Sequence, residues 1–175
     1  MTSTPRRFLP IRIRQTVLTA HIIMSVGLLG DSAGFLAIAI RAARTDDPAA
    51  VLEQIRVLDM FSVVFGIPLS FAALLTGLVL GLGTKWGVFR YPWVATKLGL
   101  IVSVMAVGGL VINPAQTMML EGSGDATTQL IVAGAYDLIA LGLATTLSVF
   151  KPGRPWRADR TWAPPIQAVG SAPGR

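Results

Sequence analysis

Four stretches of this chain are apolar on every side rather than along one stripe: residues 16–40, 57–83, 94–113 and 128–150. A helix needs about 20 apolar residues to cross the roughly 30 Å hydrocarbon core of a bilayer, and each stretch has that length or more. A water-soluble helical domain keeps a polar face on its outer helices. Four helices without one have nothing to shield them from water. The pattern therefore predicts an all-α fold: a four-helix bundle integral to a membrane. A basic arm (1–15) precedes it and a Pro/Arg-rich tail (151–175) follows, too short and proline-rich to fold alone and expected to be disordered.

Local signals fill in the ends. Asp47-Pro48 reads as a helix cap followed by proline in the first turn, so Ala49–Leu58 should run helically into the second span. Pro68 should kink that span, because it lacks an N–H and crowds the carbonyl four residues back. Pro92 sets the turn before the third span, and Asn113-Pro114 is expected to mark its outer end. Trp86, Tyr91 and Trp93 fall where an interfacial aromatic belt belongs. Gly30-x-x-x-Gly34 and Gly77-x-x-x-Gly81 match the small-residue pattern of close helix packing, here expected within the bundle. The first span is too long for a signal-peptide core and reads as an uncleaved anchor.

Charge sets the expected threading. Eleven basic residues flank one side: Arg6, Arg7, Arg12 and Arg14 in the arm, Lys85 and Arg90 between spans two and three, and Lys151, Arg154, Arg157, Arg160 and Arg175 in the tail. Only Arg41, Arg44 and Arg56 flank the other, and the last outer loop carries Glu121 and Asp125 with no basic residue. The positive-inside rule then puts both termini in the cytoplasm, with the bacterial plasma membrane as the expected location. The net charge of +6 and pI of 10.8 follow from that asymmetry and from attraction of basic flanks to anionic lipid. A nucleic-acid partner is not expected. The expected partners are the bilayer and a membrane-protein neighbour or a second copy of the chain.

Composition narrows the chemistry. The 175 residues are 53% hydrophobic and only 14% charged, with mean hydropathy +0.63. There is no cysteine and one histidine. That excludes disulfides, thiolate metal sites and a Cys nucleophile, and a haem with two histidines from one chain. No Ser-His-Asp triad, phosphate loop or dinucleotide fingerprint is present. Tyr136-Asp137 and Gly30-Asp31 resemble intramembrane aspartyl-protease motifs only in part and in reversed order, so enzymatic activity is not expected, and no cofactor is assigned.

What remains are ionisable residues inside the spans, each a functional candidate by default. At 1.5 Å per helical residue, His21 lies about 8 Å and Lys97 about 6 Å from the inner boundary, whereas Asp31 lies about 22 Å and Asp137 about 20 Å from it. The depths pair His21 with Lys97 and Asp31 with Asp137. Asp31, Asp137 and Lys97 are thus candidates for an ion or proton relay. The competing expectation is structural: Asp31 bonded near Ser32 and Tyr136, Asp137 near a hydroxyl such as Thr76, and Lys97 snorkelling to the inner face. His21 and Met24, one turn apart, could offer soft ligands to Cu(I) together with Met105, Met118 or Met119.

The segment Leu74-Leu75-Thr76-Gly77-Leu78-Val79-Leu80-Gly81-Leu82-Gly83-Thr84-Lys85-Trp86-Gly87, continued by Tyr91-Pro92-Trp93-Val94-Ala95-Thr96-Lys97-Leu98, resembles a bacterial family of predicted integral membrane proteins of unknown function. His21 with Ser25–Gly30 resembles that family's first span, and the likeness covers roughly residues 16–112. More remotely, His21 in span one is similar to copper-resistance D-type membrane proteins, although Leu28-Leu29-Gly30-Asp31 stands where their Trp-x-Gly-Gly would follow. The resemblance implies a four-helix membrane protein and supplies no activity. The role expected from the sequence is structural or accessory, binding a partner or lipid. The alternatives are a small proton- or ion-coupled transporter through Asp31 and Asp137, and copper or haem handling through His21.

Overall fold

The structure, a computed structural model, describes residues 10–83, 91–122 and 124–150. The arm with Arg6 and Arg7, the loop with Lys85, Trp86 and Arg90, and the tail 151–175 lie outside the described residues. Four helices are long and apolar enough to cross a membrane: Ile11–Ala42, Pro48–Gly83, Pro92–Leu120 and Thr127–Phe150.

The second and third of these are interrupted. The second consists of α2 (Pro48–Met60), a π-helical stretch Phe61–Gly66 and α3 (Ile67–Gly83). The third consists of α4 (Pro92–Val107), a π-helical stretch Gly108–Ile112 and α5 (Asn113–Leu120). With α1 (Ile11–Ala42) and α6 (Thr127–Phe150) they complete the bundle. In both interrupted helices the π stretch ends two residues before a proline, Gly66 before Pro68 and Ile112 before Pro114. A proline removes one rung of the i→i−4 ladder and crowds the carbonyl it would have bonded. The wider turn just ahead absorbs that clash without ending the helix.

One expectation is corrected here. Asn113-Pro114 does not end the third span; the helix continues to Leu120. Pro114 acts locally on one turn, and Ala115, Gln116, Thr117, Met118 and Met119 then propagate the helix. The Asp47-Pro48 start appears as expected: the Asp47 carboxylate accepts the Ala49 N–H at 3.0 Å, and α2 begins at Pro48. Asp47→Ala should lower stability by about 1 kcal/mol, the usual worth of such a cap, as measured by unfolding of the detergent-solubilised protein. At the other turn, the Thr127 hydroxyl (2.6 Å) and N–H (2.9 Å) both donate to Asp125. These bonds hold its carboxyl below the usual carboxylate range. Gly122 takes φ +67° in this turn, a left-handed conformation that favours glycine.

α1 lies between α3 and α6, and α6 lies between α1 and α4. Two apolar clusters hold the bundle. One gathers Phe35, Ala39, Ala42, Ile55, Leu58, Ile112, Ala115, Leu130 and Ala133 at the end where α1 turns into α2 and α5 into α6. The other gathers Leu28, Val104, Ala140 and Leu141 nearer the chain termini. We call these the turn end and the terminal end. Large apolar side chains such as Ile23, Val26, Leu82, Leu110, Ile139 and Phe150 cover the outside of the bundle, as lipid contact requires.

The glycine motifs are used unevenly. A Cβ on Gly34 would stand 3.1 Å from the Phe61 ring, and one on Gly77 would stand 3.1 Å from the His21 ring. A Cβ on Gly30 would meet nothing within 4 Å. The Gly30-x-x-x-Gly34 match is therefore not a continuous packing seam within this chain.

Candidate functional site: a carboxyl pair at the seam of the bundle

The two apolar clusters leave a gap in each central helix. On α1, Leu28 belongs to the terminal-end cluster and Phe35 to the turn-end cluster, with Asp31 between them. On α6, Ala133 and Ala140 belong to opposite clusters, with Asp137 between them. The helical period of 3.6 keeps these residues on or near the bundle-facing side, so each carboxyl enters the interior where the apolar packing parts.

Asp137 is only 8% exposed, and Asp31 is half-buried. The charge of Asp31 reaches Asp137. Asp31 Oδ2 also lies 3.3 Å from where a Cβ on Gly66 would sit. Gly66, the last residue of the first π stretch, thus gives the carboxyl its room. The Oδ1 atoms of both aspartates are buried without a hydrogen-bond partner. Such groups are rare in folded proteins, and each calls for a physical reason.

The hydroxyls expected to bond these acids go elsewhere. The Tyr136 hydroxyl donates to Ser103 Oγ at 2.7 Å, joining α6 to α4. Thr76 Oγ1 contacts His21 Nδ1 at 3.0 Å and donates to the Ala72 carbonyl at 2.7 Å. Ser32, though buried, is adjacent to Asp31 on one helix and so faces about 100° away. The expected register-holding bonds to Asp31 and Asp137 are not formed, because the rotation of α6 turns Tyr136 toward α4.

Lys97 acts electrostatically on His21, and its Nζ donates to Ser148 Oγ at 2.5 Å. This bond ties α4 to α6 and holds the ammonium half-buried between them. Met24 remains one turn from His21 on α1. Met118 and Met119 pack with the turn-end cluster, and Met119 Sδ lies 3.9 Å from Thr127 Oγ1. These two methionines cannot join His21. Among the described residues, no group of three His, Cys, Asp or Glu is placed to hold a metal ion.

Sequence reasoning missed two residues near the pair. Gln116, on α5, is 1% exposed, and its Nε2 donates to Ser62 Oγ at 3.2 Å. Ser62 belongs to the first π stretch, one turn from Gly66. Ile112, Ala115 and Met119 recur at helical spacing through Pro114, a signal that Gln116 still faces the bundle.

Comparison with curated proteins and with solved structures gives no match. Residues 15–152 match a family described as predicted integral membrane protein (DUF2269), and the match runs through the fourth span. The chain belongs to this family of integral membrane proteins of unknown function.

Proposed function

We propose that this protein binds a monovalent cation or proton at the Asp31–Asp137 pair and passes it across the membrane. The pair lies inside the hydrocarbon core, past its midplane, where an ionisable residue marks an ion or substrate path by default. One observation carries the reading: two neighbouring buried carboxyls each keep an oxygen with no donor. Acids that served only as glue between helices would spend those oxygens on hydroxyls, and Tyr136, next to Asp137 on the same helix, bonds Ser103 instead.

Threading with both termini in the cytoplasm of a bacterial cell accompanies this reading. It is supported by the eleven-to-three imbalance of basic residues. The turn end then faces outward. The accessory role retains one observation in its favour. An apolar groove on the outside of the bundle is lined by Val107, Val111, Val132, Ala133 and Tyr136, a surface suited to a neighbouring helix or an acyl chain. Copper or haem handling through His21 has less support, since the histidine ring is engaged by Thr76 and packed on Gly77.

Proteoliposomes carrying the full chain test the main reading. The wild type should dissipate an imposed Na⁺ or pH gradient, and Asp31→Asn and Asp137→Asn should each slow it by about tenfold or more, a barrier change of about 1.4 kcal/mol or greater. Wild-type rates in both variants, or no flux from the wild type, would end the transport proposal.

A further inference from the structure

Four buried side-chain atoms among the described residues lack a hydrogen-bond partner: Asp31 Oδ1, Asp137 Oδ1, Gln54 Oε1 and Gln116 Oε1. All four are oxygen acceptors, and no donor is among them. A buried acceptor without a donor bears its desolvation penalty uncompensated. Buried acceptors with no spare donor repel anions and favour a ligand that brings positive charge.

Gln116 is the informative member. Its Nε2 donates to Ser62 Oγ at 3.2 Å, and the Ser62 hydroxyl donates in turn to the Leu58 carbonyl at 3.1 Å. The Ser62 proton is thus committed, so the amide must present its nitrogen to Ser62. Turning the amide over would set two acceptors against each other. The orientation leaves Oε1 unsatisfied in a side chain that is 99% buried. Ser62 stands one helical turn, about 6 Å, from Gly66, and Gly66 is the residue against which Asp31 Oδ2 rests. Gln54 lies two further turns toward the turn end, where its Nε2 donates to Thr45 Oγ1 and the Ala50 carbonyl.

We propose that Gln116, with Ser62, forms a neutral oxygen station through which an alkali cation reaches the Asp31–Asp137 pair from the turn end. This deepens the transport reading and rests on it. The neutral amide decides the class of ion. An amide oxygen replaces water around Na⁺ or K⁺, but it is too weak a base to hold and release a proton near neutral pH. Ser62 adds a second oxygen, since its donor is already spent on Leu58. Hard oxygen ligands of this kind suit alkali ions and not soft metals. Asp31 and Asp137 then supply the charge that compensates the ion at the end of the path.

The experiment measures ²²Na⁺ uptake by proteoliposomes of the full chain as a function of Na⁺ concentration. Gln116→Met keeps the length of the side chain and removes its oxygen. It should raise the concentration for half-maximal uptake by about tenfold, whereas Gln116→Glu, whose neutral acid form keeps both an oxygen there and a donor to Ser62, should stay within about threefold of wild type. Asp137→Asn should abolish uptake. If Gln116→Met behaves as wild type while Asp137→Asn is inactive, the oxygen station is wrong and the carboxyl pair stands. Equal loss in Gln116→Met and Gln116→Glu would reduce Gln116 to a packing residue and overturn the proposal. Wild-type uptake in both Asp137→Asn and Gln116→Met would remove the carboxyl pair as well. Monodisperse elution in detergent checks the fold of each variant. Should Gln116→Met fail that check, Ser62→Ala replaces it: the same rise is expected, and an unchanged half-maximal concentration overturns the station.

Discussion

Replacing Asp137 by asparagine is expected to stabilise the bundle while it removes cation uptake. The carboxyl is 8% exposed, has an oxygen without a donor and feels the charge of Asp31. Ionised, it bears both desolvation and like-charge repulsion. Asparagine keeps the shape and removes the charge. The expected gain is about 1–3 kcal/mol, from relieving the desolvation of the charge and its repulsion with Asp31. For a chain of this size that corresponds to about 2–4 °C in unfolding temperature per kcal/mol, read by thermal unfolding in detergent. The gain should coincide with loss of uptake, since a strained group held in place by its surroundings is characteristic of a site and not of a scaffold. Ligand addition gives a second reading. Na⁺ should raise the unfolding temperature of the wild type by mass action and leave that of Asp137→Asn unchanged. A fall in stability would mean instead that the carboxyl holds α1 and α6 in register.

The four spans and the pairing of depths were legible in the sequence for a simple reason. Bilayer thickness and helical rise convert residue number into height, and uniformly apolar stretches mark where the count begins. That arithmetic put Asp31 level with Asp137 and His21 level with Lys97, and in the structure the charge of Asp31 reaches Asp137 and that of Lys97 reaches His21. Height says nothing of rotation, however. Tyr136 was expected near Asp31 but bonds Ser103, because the facing of α6 is set by Gly134 against Phe35 and by Ala133 and Ala140 in the two clusters. The π stretches were not legible either. Proline predicts a fault in the ladder but not whether the helix ends or widens, and here both Pro68 and Pro114 are accommodated by widening. Ending the third span at Asn113 removed Gln116 from consideration as a residue of the bundle interior. The role of Gly66 was equally hidden, since its neighbour Asp31 is distant along the chain.

Gly134→Leu is expected to damage fold and site together. A Cβ on Gly134 would stand 3.1 Å from Phe35 Cδ1 and 3.6 Å from Leu36 Cα. The ring could yield a few tenths of an ångström, but the Leu36 backbone belongs to α1 and can move only with the helix. This is the close backbone approach that small residues permit between membrane helices. Leucine places four carbons where α1 already runs, and overpacking of this kind costs about 1–3 kcal/mol or more. Because Gly134 lies one turn from Asp137 and Phe35 one turn from Asp31, parting the helices there also parts the carboxyls. Uptake should fall as far as in Asp137→Asn, but with a lower unfolding temperature instead of a higher one. Gly30→Leu is the control. A Cβ at Gly30 meets nothing within 4 Å, so stability in detergent and uptake by proteoliposomes should both be unchanged. If Gly30→Leu proves as damaging as Gly134→Leu, the open face of α1 is covered by another helix in the membrane, and the folded unit is an assembly in which the carboxyl seam is only one of the contacts that matter.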